Sequence, residues 1–98
     1  MAVKVFIKRK IKDGKLNEAS KLLIKARYNA MDKEGYISSE TLRGCDHPNH
    51  VMVISMWQSL AQWKQWKDSD IRAENETAFA PLLDGPTEYE TFNLGLLP

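Results

Sequence analysis

The chain has 98 residues with 14 basic and 13 acidic side chains, and its formal net charge is +1. That balance offers no basic field for nucleic acid and no acidic field for a cationic partner, so neither is expected. Hydrophobic residues make up 43% and charged residues 28%, proportions that exclude a disordered chain and fit one domain spanning residues 1–98.

Ala2 to Ile11 reads as a first strand, with Val3, Val5, Ile7 and Ile11 on one face and Lys4, Phe6, Lys8 and Lys10 on the other. The basic run Lys4, Lys8, Arg9, Lys10 and Lys12 reads as a solvated strand face and a turn. Lys12-Asp13-Gly14 is that turn, because Asp-Gly tolerates left-handed backbone. A helix over Leu16 to Ala30 follows from Leu16, Ala19, Leu23, Ala26 and Ala30 at three- and four-residue steps, with Leu22 widening the stripe. Gly35 marks its stop.

Tyr36 to Arg43 reads as a second, more polar strand, and Gly44 to His50 as a loop punctuated by glycine and proline. Val51 to Trp57 carries no formal charge and is rich in bulky and β-branched residues, which predicts a strand buried on both faces. Ser59 followed three residues later by Gln62 predicts a capped helix start. Leu60, Trp63 and Lys67 share its stripe, with Trp66 beside Trp63. A further helical piece runs from Asp70 to about Phe79, placing Ile71, Ala78 and Phe79 near one face, until Pro81 stops it. Asp84-Gly85-Pro86 is a turn, Thr87 to Leu94 a last strand, and Gly95 to Pro98 a tail.

The order βαββαβ predicts an α+β, ferredoxin-like fold: a four-stranded antiparallel sheet with its helices on one face. The bare face, carrying Phe6, needs a cover, and a second copy is the simplest one, so a homodimer is expected. A chain this short buries only about 60–65% of its unfolded surface, which makes a further apolar interface useful. Cys45 stands alone, which excludes an intrachain disulfide and a thiolate cage for a metal. MAVKV has no apolar leader core, and no apolar run approaches the roughly 20 residues of a membrane span. A cytoplasmic location, with no membrane contact, is the default expectation.

Several short motifs then line up: the helix-leading KDGK (Lys12 to Lys15), the GY pair Gly35-Tyr36, the loop DHPNH (Asp46 to His50), and a strand ending in Trp57 before a Ser-capped helix, Ser59-Leu60-Ala61-Gln62-Trp63. Together they resemble the antibiotic-biosynthesis-monooxygenase family of dimeric α/β barrels, over about Lys4 to Leu94. The resemblance implies two subunits packing sheet to sheet and a pocket in each between sheet and helices. It also implies oxidation of a small phenolic, anthrone-like or quinone-like aromatic by dioxygen without a cofactor, the deprotonated substrate itself reducing oxygen. A non-catalytic small-molecule-binding or stress-response dimer is the alternative. A haem-degrading branch of the family uses a histidine and a Trp on the second helix and an Asn on the first strand. By position, Trp66 matches the Trp, Ile7 stands at the Asn position and Glu76 at the histidine position, which disfavours haem cleavage.

Candidate site residues follow. Trp66, whose indole N–H can donate to a substrate oxygen, and Glu76, a general base if buried, are the catalytic candidates. Glu74 is weighed with Glu76, and both equally suit a wet helix face. Val5, Ile7, Tyr28, Ile54, Trp57 and Phe79 are the substrate-binding candidates, against the plain alternatives that Tyr28 is an exposed helix tyrosine and that the others fill a core. Cys45, His47 and His50 offer three ligand types close together but no fourth, and read as a solvated loop rather than a metal site.

Overall fold

The computed structural model describes residues 1–96; Leu97 and Pro98, the end of the expected tail, lie outside the described residues. The elements are β1 (Val3–Lys10), α1 (Leu16–Ala30), β2 (Tyr36–Arg43), β3 (His50–Trp57), α2 (Leu60–Lys67), α3 (Asp70–Phe79), a 3₁₀ turn (Ala80–Leu82) and β4 (Glu88–Asn93). The strands form one antiparallel sheet in the order β2-β3-β1-β4. This is the expected ferredoxin-like arrangement, with the second crossover split into two capped helices. No helix among the described residues is long and apolar enough to cross a membrane.

Each break in the helical crossover has a local cause. Ser59 Oγ accepts the Gln62 backbone N–H at 3.2 Å and donates to the Gln62 side-chain oxygen at 3.0 Å, which satisfies an orphan donor and starts α2. Ser69 repeats the device for α3, accepting from the Arg72 N–H at 3.3 Å while donating to the Trp66 carbonyl at 2.7 Å. Gly35 has φ +90°, and a Cβ there would lie 2.4 Å from Gln62 Oε1, so backbone and packing both call for glycine. The turn into β2 is thereby pressed onto the start of α2.

The inner face of the sheet buries Val3, Val5, Ile7 and Arg9 from β1, and Val51, Ser55 and Trp57 from β3. One core cluster joins Val3, Val5, Ile7, Ala30 and the three indoles; a second joins Ile11, Ala19, Val51, Phe79 and Leu82. Arg9 stands on β1 between the two. The outer face carries Lys4, Phe6, Lys8 and Lys10 beside Met52, Ile54 and Met56. Phe6 meets Phe92 of β4 edge-on at 5.3 Å, and Phe92 is 51% exposed. β3 is therefore covered on one face of the chain only: Met52, Ile54 and Met56 are half-exposed, and the expectation of a strand buried on both faces is corrected.

Candidate functional site

The space between α1, β2 and the sheet is a narrow cleft of about 60 Å³, walled by Ile7, Trp57, Trp63, Trp66 and Tyr36 and closed by polar side chains of β1 and α3. It opens toward a wider groove of about 390 Å³ along α1; Leu23, Arg27 and Thr41 line both. A few waters fit in the inner part, whereas ligand pockets are typically ~300–1,000 Å³, a size the groove alone reaches.

Two periodicities bring the polar groups to the floor. Strand alternation puts Arg9 on the inner face with Val5 and Ile7. Helical spacing aligns Arg72, Asn75, Glu76 and Phe79 on the inward side of α3. Arg9 Nη2 then donates to Glu76 Oε1 at 2.6 Å, and Arg72 Nη2 approaches the same oxygen at 3.2 Å. Arg72 Nη2 also donates to Tyr89 Oη of β4 at 2.8 Å. Both guanidiniums stack on rings: Arg9 Cζ lies 4.4 Å from the Phe79 centroid, and Arg72 Cζ 5.4 Å from that of Trp63. Glu76 Oε2 makes no hydrogen bond among the described residues. Among the described residues two buried donors have no partner, Arg9 Nε and Asn75 Nδ2, and both belong to residues lining the cleft. The Trp57 N–H is occupied by Ser55 Oγ at 3.2 Å, while the Trp66 N–H has no protein acceptor among the described residues.

Of the residues singled out from the sequence, the structure gathers Ile7, Trp57, Trp66 and Glu76 at this cleft. Val5 and Phe79 are wholly buried and fill the two cores rather than the cleft wall. Ile54 does not reach the cleft. It pairs with Phe6 on the outer face, because β3 alternates and Val53 and Ser55 take the inward positions. Tyr28 is 77% exposed on α1, and Glu74 is exposed on α3. Ile71 and Ala78 are exposed as well, so the buried side of α3 is the polar one. Cys45 is exposed, and the His47 and His50 rings lie 4.9 Å apart in the β2–β3 loop. Among the described residues no group of three or more His, Cys, Asp or Glu is arranged to hold a metal ion. Sequence reasoning passed over Arg9, Arg72, Asn75 and Tyr89. The signal for Arg9 was its parity with Val3, Val5 and Ile7.

A ferredoxin-like sheet roofed by helices over an indole-walled cleft defines a class of small α+β proteins. Within it, the sequence profile described as Antibiotic biosynthesis monooxygenase matches residues 2–84, and the chain belongs to that family. Similar solved structures include a conserved protein from Methanosarcina mazei Go1, 22% identical over 94% of this chain and 91% of that one, with TM-score 0.88. SnoaB, a cofactor-independent oxygenase from Streptomyces nogalater, is 16% identical over 98% of this chain and 95% of its own, with TM-score 0.86. Rv0793 from Mycobacterium tuberculosis is 13% identical over 95% and 94%, with TM-score 0.85. These likenesses show the shared fold. No curated protein matches the sequence significantly.

Proposed function

We propose that the chain is a dimeric, cofactor-independent monooxygenase of a small phenolic, anthrone-like or quinone-like aromatic. The observation that carries this reading is the cleft itself: three indoles and Tyr36 wall it, and Glu76, whose Oε2 makes no hydrogen bond among the described residues, lines it. Family membership and the fold shared with a cofactor-independent oxygenase support it. In the proposed reaction Glu76 takes a proton from the substrate, and the resulting anion reduces dioxygen directly. A ring methylene plus O₂ becomes a carbonyl plus water. Ile7 and Trp57 orient the ring, and the Trp66 N–H donates to the substrate oxygen where negative charge develops. The second copy covers the outer face, where Phe6, Met52, Ile54 and Phe92 form the apolar stripe.

Oxygen uptake with a panel of hydroquinones and anthrones tests the reaction. Consumption above buffer is expected, and Trp66→Phe, which keeps the ring and deletes the donor, should reduce it by about 10-fold or more. No turnover with any member removes the enzymatic assignment, and Trp66→Phe indistinguishable from a turning-over wild type removes Trp66 from the mechanism. One observation favours the second reading, a binding dimer without chemistry: two guanidiniums already converge on Glu76 Oε1, which ties the one carboxylate that lines the cleft among the described residues. That reading predicts saturable quenching of tryptophan fluorescence with no oxygen consumed. Haem does not fit these residues, because the position expected for its histidine is Glu76, bound to Arg9, in a cleft of about 60 Å³.

A further inference from the structure

We infer that the cleft selects aromatic compounds bearing an anionic oxygen, a carboxylate or an ionised phenol, and that Arg9 and Asn75 receive that oxygen. The inference rests on the proposal that the cleft binds a small aromatic and names which kind. Two observations carry it, one of hydrogen bonding and one of charge.

Arg9 is 6% exposed and Asn75 4%, yet Arg9 Nε and Asn75 Nδ2 find no acceptor among the described residues. Buried donors are almost always satisfied, because an unmade bond forfeits the hydration given up on folding. Both residues line the cleft, so a turn of either side chain brings its donor to an acceptor lodged there. Glu76 already holds Arg9 through Nη2 at 2.6 Å, and a turn of its carboxylate brings Oε2 to Arg9 Nε as well, so Asn75 Nδ2 is the donor for which the described residues offer no acceptor.

Charge distinguishes an anion from water. Arg9, Arg27 and Arg72 line the cleft against the single carboxylate of Glu76, an excess larger than the net charge of +1 carried by the whole chain. The groove leading to it is lined by Arg27 and Arg43 and by no acidic residue. Low-dielectric walls of indole and aliphatic side chains concentrate that field. The ring then lies among the tryptophans, with its anionic oxygen toward β1 and α3.

Isothermal titration of the full chain tests this with matched ligands: 2-naphthoate against neutral 2-naphthamide, and ionised 4-nitrophenol against neutral 4-nitroanisole. Each anion is expected to bind about 10-fold or more tightly than its neutral partner. A preference confined to one pair identifies carboxylate or phenolate as the natural group. Asn75→Leu and Arg9→Met should each remove most of the preference. Asn75→Asp, which leaves the packing nearly unchanged and adds a negative charge, should reverse it. Equal affinity within both pairs, no binding of either anion, or a preference that survives Asn75→Asp overturns the inference. Oxygen uptake is a separate readout. Anion-selective binding without oxygen consumption sinks the oxygenase assignment alone, and turnover of neutral substrates without anion preference sinks this inference alone.

Discussion

Replacing Glu76 by Gln tests the architecture of the cleft floor directly. The side chains of Arg9 and Arg72 are only 5% and 8% exposed, and Glu76, at 27%, is the carboxylate both approach. Gln keeps the shape and an acceptor oxygen but removes the charge, leaving two guanidiniums desolvated near one another. Removing one partner of a buried pair typically costs about 3–5 kcal/mol, most of it from the uncompensated charge left behind. Partial exposure of Glu76 places this case at or below the low end, about 2–3 kcal/mol. For a domain near 100 residues, each kcal/mol lowers Tm by about 4–8 °C, so a fall of about 10–20 °C is expected. Urea titration and scanning calorimetry measure both quantities. Arg9→Met in the Glu76→Gln background should recover part of the loss, because a methionine over Phe79 removes one of the stranded charges while keeping the packing. A loss below about 1 kcal/mol, or no recovery in the double variant, would show the cluster to be solvent-screened and the reasoning unsound.

Gly35→Ala should destabilise by about 1–3 kcal/mol, because it combines a positive φ with a collision at Gln62, whereas Gly14→Ala, also at positive φ but facing open space, should cost less; urea midpoints compare them. Phe79→Ala, at a position with no exposed surface, should cost about 3–5 kcal/mol, while Tyr28→Ala should stay within about 0.5 kcal/mol and leave ligand binding unchanged. Ile54→Arg places a charge in the middle of the outer apolar stripe and should convert a sedimenting dimer to monomer with the fold intact by circular dichroism. A dimer that persists in this variant argues for a different interface. The hydrogen bond and then the charge of Glu90 hold the Lys8 ammonium above its usual 10.5. A raised folded value means the contribution of the pair is complete below pH 10.5 and lost as pH rises through the higher folded pKa. The pair is exposed, so the stability difference between wild type and Lys8→Gln should be small, vanish above that range, and shrink in high salt.

The fold was legible because its signals are local and repeat. Leu16 to Ala30 carries a helical stripe with no competing period, and it forms α1 with those bounds. Ser59 and Gln62 announce their cap in four residues, and the cap is present. The outward side of β3 misled the reading because hydrophobicity alone does not say what covers a face. Met52 and Ile54 look buried in sequence, yet nothing within the chain covers them fully.

The floor of the cleft was illegible for a different reason. Arg9 falls inside the run Lys8-Arg9-Lys10, and its neighbours are exposed, so composition assigns it to the wet face. Only parity separates it: every second residue from Val3 is inward, and a guanidinium occupies the fourth such place. α3 hides the same message, since the buried stripe Arg72, Asn75, Phe79 is mostly polar, whereas the apolar Ile71 points to solvent. Desolvating such a stripe is unfavourable unless a complementary group faces it, and each half makes sense only in the presence of the other. A single inward arginine on a strand and a polar inward stripe on the helix crossing it therefore form one prediction, which no reading of either element alone can make. After those halves have met, Asn75 Nδ2 is the donor left without an acceptor among the described residues, and it is what a third participant would satisfy.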